Sequence, residues 1–103
     1  MKRGEIRWYK FKAPDKKRPV LILTRNSILE YLGEVTVAPI TSTVRNIPSE
    51  VLLAESNGMP ADCAINFDHI QTVSKSKIGS LISVLSPERL NEVREAISFS
   101  LDL

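Results

Sequence analysis

Few side chains in this 103-residue chain are suited to chemistry, and they fall in short segments. Arg18 precedes Pro19 at the end of a basic stretch, Thr41-Ser42-Thr43 offers hydroxyls after an apolar run, and Asp68 adjoins the only histidine, His69. A permanent cation, a hydroxyl and a proton-carrying group form a set that could transfer a phosphoryl group without a metal. Arginine holds a phosphate bidentately and stabilises charge building on its oxygens, while a carboxylate or imidazole moves a proton. Spacing alone does not bring these segments together. A hairpin cation, a turn-forming threonine and a polar pair on the solvent face of a strand are the structural alternatives.

Other chemistries are poorly served. One histidine excludes an acid–base histidine pair within a protomer. No H-x-x-x-H, C-x-x-C or dense carboxylate cluster appears, and Asp62 and Asp68 lack ligand spacing, so no metal site is expected. The glycines at 4, 33, 58 and 79 form no phosphate-cradling loop, and no cofactor is expected. Cys63 has no evident base beside it and reads as a buried thiol; alone, it can form neither an internal disulfide framework nor a structural zinc site. No apolar run approaches the ~18 residues of a membrane span, and no apolar stretch follows Met1-Lys2-Arg3-Gly4-Glu5 as a secretory signal requires. A cytoplasmic protein with no membrane partner is expected.

The net charge of +2 conceals a polarity. Residues 1–25 carry nine cations against Glu5 and Asp15, a segment charge of +7, and the remainder carries −5. Such a field draws a polyanion toward one face. Trp8, Tyr9 and Phe11 lie among these cations, and aromatic faces between positive charges suit the stacking of unpaired bases. An exposed hairpin whose lysines protect sheet edges is the simpler alternative.

The elements that must position these groups are short, with no repeat or linker, so residues 1–103 are expected to form one domain. Glu5 to Phe11 reads as a strand, Ala13-Pro14-Asp15-Lys16 as a turn, and Pro19 to Thr24 as a second strand completing a hairpin. Asn26 to Leu32 fits either a short helix or an irregular loop. Glu34 to Ile40 alternates as a half-buried strand, with Pro39 marking an edge, a bulge or the strand's exit. Further strands are expected at Glu50 to Leu53, Ala64 to Val73 and Lys77 to Val84, with a turn at residues 56–60 and a bulge or close approach at Gly79. Ser86-Pro87-Glu88 is a helix start, and Leu90, Val93, Ala96, Ile97, Phe99 and Leu101 follow as its apolar stripe. Together these predict a mostly β fold with a C-terminal α-helix, a small antiparallel barrel.

Five blocks, RGEI at 3–6, RPVLIL at 18–23, VAPITST at 37–43, D-x-I-x-T-V at 68–73 and LSPERLNEV at 85–93, occur in an order and spacing that resembles the MazF/PemK family of toxin endoribonucleases. The resemblance spans essentially the whole chain. It implies an SH3-like antiparallel barrel of the MazF/PemK/CcdB toxin type, usually a homodimer, that cuts single-stranded mRNA without a metal. The ribose 2′-hydroxyl would attack the adjacent phosphate, leaving 2′,3′-cyclic phosphate and 5′-hydroxyl ends. It also implies a cognate antitoxin whose acidic or apolar tail occupies the RNA groove. By position, Arg18 matches the family's catalytic arginine, Thr41 its threonine, and Asp68 an acidic position some relatives use in proton transfer. His69 stands where some relatives have glutamine, and Asn66 where some have arginine. The first loop, Lys12 to Lys17, is shorter than in relatives and lacks their substrate-contacting glutamate. Lys12, Lys16, Lys17, Arg25 and Trp8 are the expected RNA-binding residues, with selectivity in the loops at residues 25–32 and 45–49. A non-catalytic nucleic-acid-binding or topoisomerase-poisoning protein of the same fold is the rival reading.

Overall fold

Apolar side chains on both faces of one curled sheet organise the chain, for which a computed structural model describes residues 1–10 and 17–103. The strands are β1 (Glu5–Lys10), β2 (Lys17–Ile22), β3 (Glu34–Thr41), β4 (Glu50–Leu53), β5 (Cys63–Asn66), β6 (Gln71–Ser74) and β7 (Ile78–Val84), and the helices are α1 (Asn26–Leu29) and α2 (Pro87–Leu101). All registered pairs are antiparallel, in the order β4-β5-β3-β2-β1-β7, with β6 also on β3. The result is the expected β fold with a terminal helix, a curled antiparallel half-barrel. No helix among the described residues is long and apolar enough to cross a membrane.

Alternation along β2 and β3 divides the interior in two. Leu21, Ala38 and Ile40 join Ile65, Phe67, Val93 and Ala96 in a core beneath α2. Val20, Ile22, Val35 and Val37 join Tyr9, Leu29 and Val73 in a smaller core on the other side. β3 is therefore not half-buried as its alternation suggests: Ala38 and Val37, on opposite faces, are both fully buried. Of the expected helical stripe, Val93 and Ala96 are buried, whereas Phe99 and Leu101 are 60% and 55% exposed. At 3.6 residues per turn the buried face passes through Ser100, which leaves those two outside it. Ser86 caps α2 as its type predicts, its Oγ accepting from the Arg89 N–H at 3.3 Å.

The first hairpin runs earlier than its apolar pattern suggests. β2 begins at Lys17 and places Arg18 opposite Tyr9. It ends at Ile22 because Thr24 leaves the ladder, its Oγ1 accepting from the Thr36 N–H at 2.8 Å. Of the two alternatives for residues 26–32, a single helical turn, α1, is found. β7 carries the irregularity expected at Gly79: from Arg7 to Tyr9 its partner runs from Leu81 to Ile78, and a Cβ at Gly79 would stand 3.3 Å from the Trp8 carbonyl oxygen.

Ala64 to Val73 is not one strand. It is β5, a 3-10 turn at Phe67–His69, then β6. The Asn66 side chain causes the break by accepting from the Asp68 N–H at 2.9 Å, a local bond that competes with the ladder. Between the pairs Ile40↔Ile65 and Val37↔Gln71, β3 advances three residues and its partner six. Pro39 lies in the resulting gap, where that edge of β3 has no registered partner, so its missing N–H breaks no ladder bond there and β3 continues to Thr41.

At the start of β1 the Arg7 Nε donates to Glu5 Oε1 at 2.7 Å, and Arg7 Nη1 donates to the Gly79 carbonyl at 3.0 Å. Burial pushes the Glu5 carboxyl up, but hydrogen bonds from Arg7 and the Lys2 backbone, with nearby positive charge, outweigh it and hold the group below its usual range. A folded-state value below the unfolded one stabilises the fold fully above the ordinary glutamate range, and that contribution is lost as pH falls through the lowered value. Glu5→Gln is thus expected to lower the melting temperature at pH 7, with the gap from wild type closing at low pH. Melts of both proteins from pH 7 to 3 check this; a gap independent of pH would rule out the ionic contribution.

Candidate active site

The β2–β3 register brings the proposed cation and hydroxyl together. Val20↔Pro39, Leu21↔Ala38 and Ile22↔Val37 are paired, and the same register carried two residues outward sets Arg18 against Thr41. Residues directly opposite in an antiparallel pair project from the same face, with Cβ atoms about 5 Å apart. Both side chains line a groove of about 260 Å³ with Thr43, Arg45, Glu50, Asn66 and His69. On its other flank Arg18 and Thr41 line a second depression, of about 230 Å³, with Trp8, Ser42 and Cys63. Thr41 Oγ1 accepts from the Thr43 N–H at 3.1 Å, which fixes the hydroxyl and leaves its proton to donate.

The far wall of the groove is built by the turn that interrupts the sheet. Asn66 Oδ1 is engaged by Asp68, which turns its amide nitrogen toward His69 Nδ1 at 3.4 Å. Buried Ser49 ties the turn down, its Oγ donating to Asp68 Oδ2 at 2.6 Å and its carbonyl accepting from the Phe67 N–H at 3.0 Å. Phe67 is packed into the core beneath α2. His69 thus lines the groove, whereas Asp68, the neighbouring candidate, is held against Ser49 and is not among the lining residues. Glu50, which pairs with Asn66 across β4 and β5, accepts at Oε1 from the Arg45 and Asn46 N–H groups at 3.0 and 3.1 Å. This bond shapes the loop where Asn46 takes a left-handed φ of 56° and holds Arg45 at the groove.

The other expected residues divide. Trp8 flanks Arg18, and Lys17 is exposed beside it. Arg25 lines a separate depression with Arg3, Ile28 and Thr72, so of the two expected selectivity loops only the one at Arg45 reaches the groove. Lys12 and Lys16 lie outside the described residues. Cys63 is buried, and burial together with Asp62 pushes its thiol up, away from the reactive thiolate. In the sequence Glu50 is legible only as the start of a strand, and Asn66 only as a departure from a pattern; their function in shaping the groove depends on cross-strand pairing.

A half-barrel with these features is the fold of a class of small bacterial toxins. It superposes on a structure described as Mycobacterium tuberculosis toxin MazF-mt6 with a TM-score of 0.89 at 37% identity, covering 96% of this chain and 97% of that one. A second structure, described as an Mtb toxin, gives 0.79 at 36% identity over 91% and 99% of the two chains. The chain belongs to the family of PemK-like, MazF-like toxins of type II toxin-antitoxin systems, whose profile matches residues 2–101. It is also 40% identical over 101 residues, 97% of each chain, to a protein of M. tuberculosis named probable endoribonuclease MazF2. A further M. tuberculosis protein, named endoribonuclease MazF3, is 40% identical over 89 residues, 86% of each chain.

Proposed function

We propose that this toxin is an endoribonuclease that cuts single-stranded mRNA at short sequences by attack of the ribose 2′-hydroxyl on the adjacent phosphate. The observation that carries this reading is the placement of Arg18 and Thr41 on one cross-strand row over one groove. The scissile phosphate lies against that row. The guanidinium engages its non-bridging oxygens and stabilises the extra negative charge of the phosphorane, and the Thr41 hydroxyl donates to the same group. The 2′-oxygen forms a bond to phosphorus and loses its proton, the bond from phosphorus to the 5′-oxygen breaks, and that oxygen gains a proton. Because the nucleophile belongs to the substrate, the reaction calls for no bound cofactor. Asp68 acts by holding the turn that carries His69. Trp8 and Lys17 guide the strand into the groove, with Lys12, Lys16 and Arg25 as further contacts, and unpaired RNA is selected because the deep groove of an A-form helix is closed to side chains.

In the same reading residues 1–103 are one cytoplasmic toxin domain, kept inactive by a cognate antitoxin whose acidic or apolar tail occupies the basic groove and orders on binding. The working unit is a homodimer: among the described residues β7 ends the sheet, and it exposes Leu81 and Val84, an apolar edge that a second copy would cover. The deciding experiment is incubation of the purified protein with a panel of single-stranded RNAs in EDTA. Fragments ending in 2′,3′-cyclic phosphate and 5′-hydroxyl are expected; 3′-hydroxyl ends, or no cleavage of any sequence, would reject the reaction.

A further inference from the structure

Besides the Arg18–Thr41 row, the groove is lined by groups of a different kind. Asn66 Oδ1 accepts from the Asp68 backbone N–H, so the amide cannot turn over without breaking that bond, and its nitrogen faces His69 Nδ1. An amide nitrogen only donates, so Nδ1 is the acceptor and the neutral ring carries its proton on Nε2. The same groove is lined by Glu50, the cross-strand partner of Asn66, whose Oε1 is taken by two backbone N–H groups and whose second oxygen is a pure acceptor. A phosphate presents acceptors only, and a carboxylate repels it. An N–H donor sharing a groove with a carboxylate instead matches the edge of a nucleobase, where donors and acceptors adjoin.

We infer that His69, held by Asn66 in its Nε2–H form, acts with Glu50 to read one unpaired base beside the scissile phosphate, and is a specificity-determining residue, not an acid or base. This rests on the RNA-cleaving reading above and assigns the two sets of groove residues separate tasks: phosphate at Arg18 and Thr41, base at His69 and Glu50.

The test is cleavage of a random-sequence single-stranded RNA pool followed by sequencing of the new 5′ ends. His69→Ala is expected to weaken the preference at one position next to the cut by about tenfold, the effect of one neutral hydrogen bond. The rate on sequences carrying the preferred base should fall by that factor while the rate on the others stays near wild type, and His69→Gln, which restores an N–H, should recover part of the preference. An unchanged preference at every position overturns the inference, as does an equal loss of rate on all sequences, which would make His69 catalytic. Because His69 is the only histidine, ring ¹⁵N spectra of the labelled protein near pH 8 report it alone. A bare Nδ1 and protonated Nε2 are expected, with Nε2 shifting when RNA blocked by 2′-deoxy substitution binds; a protonated Nδ1 with bare Nε2 overturns the assignment. If the wild-type protein cuts no RNA, the nuclease reading fails along with it, an outcome distinct from altered preference.

Discussion

Replacing Arg18 with alanine is expected to reduce the rate of RNA cleavage by about 10³-fold, since an arginine placed on developing phosphoryl charge contributes on that order or more. That factor corresponds to about 4 kcal/mol of transition-state stabilisation. Arg18 is exposed at the outer end of β2, so its truncation leaves both cores intact and should change stability by no more than about 0.5 kcal/mol. Arg18→Lys separates charge from shape: it keeps the cation but loses the planar fork, and should recover only part of the rate. Single-turnover cleavage of a defined oligonucleotide, with circular dichroism on each variant, measures both quantities. Cleavage by Arg18→Ala at the wild-type rate would remove this residue from the chemistry.

The largest effect on stability is expected at Phe67, in the core and not at the surface of the groove. It is among the largest fully buried side chains and sits in the core beneath α2, in the turn that carries Asp68 and His69. Truncation to alanine should cost about 3–5 kcal/mol, the usual range for a buried aromatic, against a total of about 5–15 kcal/mol for a domain of this size. Chemical denaturation checks the value. A loss below about 1 kcal/mol would mean that the turn is not fastened through the core. The surviving folded fraction should show disturbed sequence preference more than disturbed chemistry, because Arg18 and Thr41 extend from the strand faces that carry Val20 and Val37 in the other core.

How far the sequence reveals this arrangement depends on whether the cause is local. The Ser86 cap, the Gly79 irregularity and the strand at Glu50–Leu53 follow from residues near at hand, and each is found where its signal lies. The break at residues 67–69 has no such signal: Ala64 to Val73 has strand composition throughout, and the turn exists because one asparagine side chain competes with the ladder while β3 changes partner strands. Burial of Phe67 looks the same in a strand as in a turn. The site divides likewise. Arg18 and Thr41 stood out through the family pattern and the register joins them, whereas Glu50 and Asn66 are far apart in sequence and meet only through strand pairing.

The two cores bear on how such a toxin could diversify. The residues assigned to the chemistry are anchored on one of them, and the turn assigned to base reading on the other, with β3 as the shared wall. Substitutions at positions 45 and 69, or insertions in the loop between β3 and β4, could therefore accumulate in a lineage without disturbing the placement of Arg18 against Thr41. A bacterium carrying duplicated copies would then gain nucleases with one reaction and different target transcripts, each copy drifting in vocabulary while its cutting edge stays fixed.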